Sequence, residues 1–402
     1  MFNILALDGG GSWAIIQLLT LKHRYGNIKG HELLQNFDLV IANSGGSIVL
    51  AALAENYSLD QAIGLFKEKE NRERIFHQNA FLDRFFPVDH LRFWGMPFGP
   101  KYSTVKKKEA FEYLFPNSDS VQMEALPEII GKPSLKLVVC TYDALNNRAK
   151  FFKSYSSNQH GFDSVRLTQA INGSSNAPVQ YFDFPVRFKA KESEIFYELW
   201  DGALGGFNNP ILAGIIEAHK LGVDLKTIRV VSLGTSNSLM SQADKDSFWK
   251  AKQTAQQFRR KKWYLWKLKA QWQFFKSTVL NQAKTILYQP PDTANYMAMI
   301  FLKATSGLEP NENIIRLSPL IHFDQQTPTD VVPLIEQLYL LDMDLTKENE
   351  IQLLLDCFES WKNGHLYNQP LDFRVERNND LTFISGDKCF DDGMKRWKEW
   401  NI

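Results

Sequence analysis

One serine stands where a nucleophile would have to stand. In Phe37-Asp-Leu-Val-Ile-Ala-Asn-Ser44-Gly45-Gly46-Ser-Ile-Val-Leu-Ala-Ala-Leu-Ala54, an apolar β-branched run gives way to an alanine-rich helical pattern, and Ser44 falls at the corner. A hydroxyl there projects from the edge of a sheet, and Gly45 and Gly46 permit the close packing that a strained strand-to-helix turn requires. Such a nucleophile calls for a base and for donors to an oxyanion. Ala42-Asn43-Ser44-Gly45-Gly46 alone is a weak signal, because alanine replaces the first glycine of G-x-S-x-G.

Two further stretches have the right chemistry. Asp8-Gly9-Gly10-Gly11-Ser12 follows an apolar strand pattern over residues 2–7 and precedes a helical pattern from Trp13 to about His23. Strand, glycine loop, helix is the layout that points backbone N–H groups at an anion. A rival use of the same loop is phosphate binding in an ATP-dependent phosphotransferase of the sugar-kinase or actin-like kind, although GxxxxGK[ST] and GxGxxG spacings are absent. The second stretch is Glu198-Leu-Trp200-Asp201-Gly202-Ala203, where a strand ends on Asp201 before a glycine turn and Pro210 opens a helix from Ile211. Asp-Gly is inexpensive turn chemistry, repeated at Asp8-Gly9 and Asp392-Gly393, so the position of Asp201 after Ser44 matters more than the dipeptide.

The elements that must position these residues read as α/β. Strand patterns recur at residues 135–142, 149–155, 226–232 and 314–318, and helical patterns at 211–221, 293–304 and from Thr346 to Trp361. A run of aromatics from Phe81 to Phe98, broken by Gly and Pro, reads as an ordered loop packed under its own side chains or as a lipid-facing lid. The 402 residues, 44% of them hydrophobic, suffice for one large core or two ordinary ones.

A net charge of +1 argues against a molecule that binds nucleic acid over its whole surface. One segment departs from that balance. Residues 241–290 hold eleven Lys or Arg against two Asp, interleaved with Trp249, Trp263, Trp266 and Trp272. Leu265, Leu268, Trp272, Phe275, Val279 and Ile286 form an apolar stripe at helical spacing. Three uses compete: a packed helix with a solvated basic face, a helix drawn to an anionic membrane surface, and nucleic-acid contact, the least expected.

Cys140, Cys357 and Cys389 make neither a disulfide framework nor a zinc pattern, so no metal or cofactor is expected and a reducing, cytoplasmic setting fits. Met1 to Asp8 reads as a strand and not a signal peptide. No apolar run approaches the ~20 residues of a membrane span, which leaves peripheral attachment.

In order along the chain, these stretches resemble the patatin-like phospholipases. That family's D-G-G-G-x-[KR]-G, G-x-S-x-G and D-G-[GA] appear here as Asp8-Gly9-Gly10-Gly11-Ser12-Trp13-Ala14, Ala42-Asn43-Ser44-Gly45-Gly46 and Asp201-Gly202-Ala203. Ser175-Asn-Ala-Pro178 with Tyr181-Phe182, Asn208-Asn-Pro210 and Ser232-Leu-Gly-Thr235 also look like family segments. The resemblance implies a three-layer α/β/α fold with a mainly parallel central sheet. It implies a domain over 1–362, with 241–290 a basic aromatic helical insertion and 363–402 a C-terminal extension of unknown role.

It also implies the activity: a serine acyl hydrolase that cleaves fatty-acyl esters of glycerophospholipids with a Ser44–Asp201 dyad and no histidine. The Gly9, Gly10 and Gly11 amides would bind the oxyanion. Because an exposed aspartate is a poor base near neutrality, Asp201 is expected to be buried. A triad would instead recruit a histidine such as His219 or His322. Trp13, Ala14 and Ala42 depart from the family pattern, which leaves room for a catalytically weak lipid-binding protein. Ala42 is tolerable if its φ is negative.

Overall fold

In the computed structural model of the chain, the structure describes residues 1–79, 100–155, 164–178, 181–190, 195–239, 290–307, 310–376 and 380–402. The aromatic run at 81–98 and nearly all of the basic segment at 241–290 lie outside them.

The strands are β1 (Phe2–Leu7), β2 (Leu39–Asn43), β3 (Lys136–Asp143), β4 (Arg148–Lys153), β5 (Val186–Lys189), β6 (Phe196–Asp201), β7 (Ile228–Leu233), β8 (Asn237–Ser238), β9 (Ile314–Leu317), β10 (Pro319–Ile321), β11 (Tyr367–Asn368), β12 (Asp372–Val375) and β13 (Leu381–Ser385). The main sheet runs β5-β6-β3-β2-β1-β7-β9, with β4 also paired to β3. Its centre is parallel: β1 pairs in parallel with β2 and β7, β2 with β3, and β7 with β9. At one side the pairings are antiparallel: β4 and β6 with β3, and β5 with β6.

Central strands of this kind read as unbroken apolar runs because both faces are covered. Alternate residues of β1 show it. Leu5 and Leu7 pack in one cluster with α1 (Ile15–Tyr25) and α2 (Ser44–Ala54), while Ile4 and Ala6 pack in a second with α5 (Ile211–Lys220) and α6 (Pro290–Ser306), which follow α3 (Thr104–Leu114) and α4 (Leu167–Ser174) in the chain. The sheet therefore lies between two helical layers, the three-layer arrangement that the sequence implies. Among the described residues no helix is long and apolar enough to cross a membrane.

Two helices and the chain end complete the core. Helix α7 (Val332–Tyr339) leads into a segment laid over the glycine loop, and α8 (Glu348–Lys362) opens with Glu348 and Glu350 in its first turn. The last helix packs into the cluster that holds Trp361: Phe390, Met394 and Trp397 of α9 (Phe390–Glu399) are buried beside it.

Candidate active site

Ser44 and Asp201 meet because two strands end head to head on one edge of β3. Along that edge β2 pairs as far as Asn43 with Cys140, and β6, running the opposite way, begins its pairing at Thr141 with Asp201. The other edge is occupied by β4, so β2 and β6 share one line. Their last residues fall on consecutive positions of β3, and the chain leaves the sheet at both points.

At the first, Asn43 is extended and Ser44 turns sharply, with φ of 47°. A non-glycine residue in this left-handed region costs roughly 1–2 kcal/mol, which the packing around the turn must offset. The packing is close. A Cβ on Gly45 would lie 2.4 Å from Gly11 O, and one on Gly46 2.5 Å from Leu7 O. Ala42 has a negative φ within β2, so the methyl in place of glycine meets no strain. The Ser44 N–H donates to Ser174 Oγ at 2.8 Å.

Asp201 is buried and lines the same cavity as Ser44, close enough for the serine hydroxyl to lower the carboxyl's proton affinity. Oδ1 also accepts from Ala203 N (2.9 Å) and Asn43 Nδ2 (3.1 Å). Burial pushes Asp201 above the ordinary carboxylate value; the neighbouring Ser44 hydroxyl, the hydrogen bonds from Ala203 and Asn43 and the charge of Lys107 pull it part of the way back. The expected burial of this carboxylate is therefore present.

The glycine loop lies against the serine turn. Its first amide is already engaged: Gly9 N–H donates to Asn208 O at 2.8 Å, so it is not free for an oxyanion as the sequence suggested. Gly10 and Gly11 have φ of 151° and 57°, and a Cβ on Gly10 would lie 2.2 Å from Thr235 Oγ1. Thr235 Oγ1 itself donates to Gly9 O at 2.8 Å. The loop is held on its other side by residues 342–345. Ser12 N–H donates to Met343 O (2.9 Å), Leu345 N–H to Ser12 Oγ (3.2 Å), and the Trp13 indole N–H to Asp342 O (3.0 Å).

Beneath the loop, Asp8 pairs with the buried Arg316 at 2.6 Å, and burial still pushes Asp8 up to about 6. Arg316 also donates to Ser232 Oγ and Gln369 Oε1.

A cavity opens over Ser44 and Asp201. Trp13, Ile321, Leu338, Leu341 and Met343 make an apolar wall; Asn208, Thr235, Ser236, Asn237 and Ser238 make a polar one. Trp13, which stands where the family pattern has a basic residue, thus contributes apolar surface beside the serine. Neither His219 nor His322 lines this cavity, and the His219 ring faces Val223 O at the exposed end of α5.

Residue types and order pointed to Ser44, Asp201 and the loop. They did not point to Asn43, Ser174, Lys107 or Arg316. Asn43 had a usable signal, as the single polar residue ending an apolar strand; Lys107 had none, since it lies in a run of three lysines.

Fold and site together define an α/β protein with a serine at a strand-to-helix corner, a buried aspartate in the same cavity and a glycine loop alongside. The chain belongs to the patatin-like phospholipase family, whose model matches residues 5–215, just over half of it. A cUMP-AMP-activated phospholipase of Escherichia coli is 26% identical over 240 residues, 58% of this chain and 64% of that protein, so under two thirds of the relative is spanned. A solved structure, VipD from Legionella pneumophila, matches 89% of this chain and 66% of its own at 11% identity, with a TM-score of 0.33.

Proposed function

We propose that the protein is a serine acyl hydrolase acting on fatty-acyl esters of glycerophospholipids, with Ser44 as nucleophile and Asp201 as base. The observation that carries this is the convergence, in one cavity, of a serine held at a sharp strand-to-helix corner and a buried carboxylate whose proton affinity burial has raised. Ser44 Oγ gives its proton to Asp201 and bonds to the acyl carbonyl carbon. The negative charge then develops on the carbonyl oxygen. We assign its stabilisation to the Gly10 and Gly11 amides, which have no partner among the described residues, and not to Gly9.

Collapse breaks the ester C–O bond, and the alcohol leaves with the proton from Asp201. Water, deprotonated by the same carboxylate, attacks the acyl-enzyme; the fatty acid and the free serine are restored. The apolar wall from Trp13 to Met343 suits an acyl chain.

The Escherichia coli relative is named for activation by cUMP-AMP. By that likeness we extend the proposal to an activity raised by a cyclic dinucleotide, and the assay should be run with and without cUMP-AMP. The test is labelling by a fluorophosphonate, mapped to its peptide, alongside fatty-acid release from phospholipid vesicles. Labelling at Ser44, and its disappearance in Ser44→Ala, is the expected result; full hydrolysis by folded Ser44→Ala would overturn the assignment. Hydrolysis absent and Ser44 unlabelled under both conditions would instead favour a lipid-binding protein without catalysis.

A further inference from the structure

A lysine is buried completely beside the dyad. Lys107 on α3 has no exposed surface, although its neighbours Lys106 and Lys108 face outward and pair with Glu109 and Glu112. No carboxylate lies within ion-pair distance of Lys107 among the described residues. Its Nζ donates instead to Asn172 O (2.9 Å), Asn176 Oδ1 (2.9 Å) and Ser175 Oγ (3.5 Å), and stands 4.0 Å from the centroid of the Phe182 ring.

Every one of those oxygens must accept. The Asn172 carbonyl has no proton to give. Ser175 spends its hydrogen on Ile171 O (2.7 Å), and the Asn176 amide group donates to Phe184 O (2.8 Å). Three acceptors require three N–H donors, which an ammonium has and a neutral amine lacks. An aromatic face as the fourth neighbour also favours a cation. The geometry therefore assigns Lys107 a charge, against the effect of burial, which drives its proton affinity well down.

A buried charge without an ion pair is costly unless something nearby compensates it. Asn176 shows what that is. Its side-chain oxygen accepts from Lys107, and its backbone carbonyl accepts the Asp201 N–H at 3.1 Å. One residue thus links the ammonium to the residue whose carboxylate shares the cavity with Ser44.

Given the Ser44–Asp201 dyad above, we propose that Lys107 is a positioning residue of the hydrolase: its ammonium, acting through Asn176, holds the 175–178 segment in place and keeps Asp201 ionised. Asp201 can take the serine proton only as the anion, and an opposite charge favours that form.

Other charges around Lys107 leave it this role. Asp201 and Asp183 act on it directly, and Asp183 already accepts from Thr104 N and Phe184 N. Helix α4, packed against α3, carries no titratable side chain. On the helix Lys69–Ile75, Lys69 pairs with Glu73, Arg74 with Glu70, and Arg72 with Glu348. Asp119, on the short helix after α3, pairs with Arg166.

The experiment follows the rate of Ser44 labelling by an uncharged fluorophosphonate against pH in the full-length chain and three variants. Lys107→Met removes charge and donors, Lys107→Gln removes the charge but keeps an N–H donor, and Lys107→Arg keeps the charge. Folding is checked by circular dichroism. Removing the cation raises the proton affinity of Asp201, so Met and Gln should move the acid limb to higher pH. At the pH of half-maximal wild-type rate, each should be slower by at least about threefold, converging on wild type above the limb. Arg should keep the wild-type limb.

Coincident normalised profiles in wild type and Gln would overturn the proposal, and Gln decides the matter if Met fails to fold. Absence of labelling in wild type would defeat the dyad itself, a different failure with a different signature.

Discussion

Ser44 is held in a conformation that few serines adopt, and the cost is met by neighbours that cannot be enlarged or moved. The buried side of the turn is fixed by Ser174, and the open side faces the glycine loop. Replacing Ser44 by Ala or Asp201 by Asn should each reduce ester hydrolysis by about 10³-fold or more, measured as fatty-acid release, with unchanged circular dichroism. Asn43 acts on the same carboxylate, which it holds through Nδ2. Asn43→Ala should slow labelling on the order of tenfold to a hundredfold, because a carboxylate freed of one donor is less well aimed. The acid limb should also rise. Asp201 is active when ionised, its affinity for protons is already raised by burial, and loss of a hydrogen bond to the anion raises it again. A rate profile whose limb falls to lower pH in Asn43→Ala would contradict this account.

At the scale of elements, β1, β7 and β9 carry a polar column through an apolar sheet. Asp8 at the end of β1, Ser232 on β7 and Arg316 on β9 are joined by hydrogen bonds, and Gln369 extends the chain from Arg316 toward Asp292 on α6. The pair lies where β1 ends and the glycine loop starts. Removing one partner of a buried ion pair leaves the other charge uncompensated, so Arg316→Met should destabilise the fold by about 3–5 kcal/mol in urea unfolding at neutral pH. The sign with pH follows from Asp8. Its folded-state pKa, about 6, already lies above the ordinary 3.8, and loss of the guanidinium raises it further. Stability is then greatest where both states hold the proton and is lost as pH rises through the folded-state value. Arg316→Met should therefore recover part of its deficit at pH 4 to 5, relative to wild type under the same conditions.

For the whole molecule, the proposed activity requires a lipid to pass from a bilayer into the cavity, whose lining is part apolar and part polar. The described residues that flank the basic aromatic segment at 241–290 meet at this cavity: Asn237 lines it, and Asn237 Nδ2 donates to Asp292 Oδ1 at 2.7 Å. We propose that this segment attracts anionic phospholipid. Binding to vesicles containing anionic lipid should weaken as salt rises, and charge reversal of the Lys and Arg residues between 259 and 269 should abolish it. Unchanged sedimentation with vesicles after that reversal would rule the segment out. The chain end belongs to the same body, because Trp397 and Phe390 fill a core that also contains Trp361.

Local rules were enough for much of this. Apolar runs marked the central strands, Pro210 the start of α5 and the helical pattern from Thr346 to Trp361 the course of α8, because pattern and capping chemistry act over a few residues. Ser44, Asp201 and the Gly9–Gly11 loop were legible as types at turns, but their meeting was not: it depends on β2 and β6 ending at adjacent positions of β3, a matter of register across some 160 residues. Only the tertiary structure committed the Gly9 amide to Asn208, since that bond joins residues with no sequence relation. The same holds for Lys107 and Arg316. A lysine in a basic run and an arginine in a short strand announce nothing by composition, and both became buried charges because packing brought acceptors to them from distant parts of the chain. Sequence alone thus determined the elements and the chemistry they can carry, whereas long-range packing decided which groups are desolvated and which are paired, and so which of them can act.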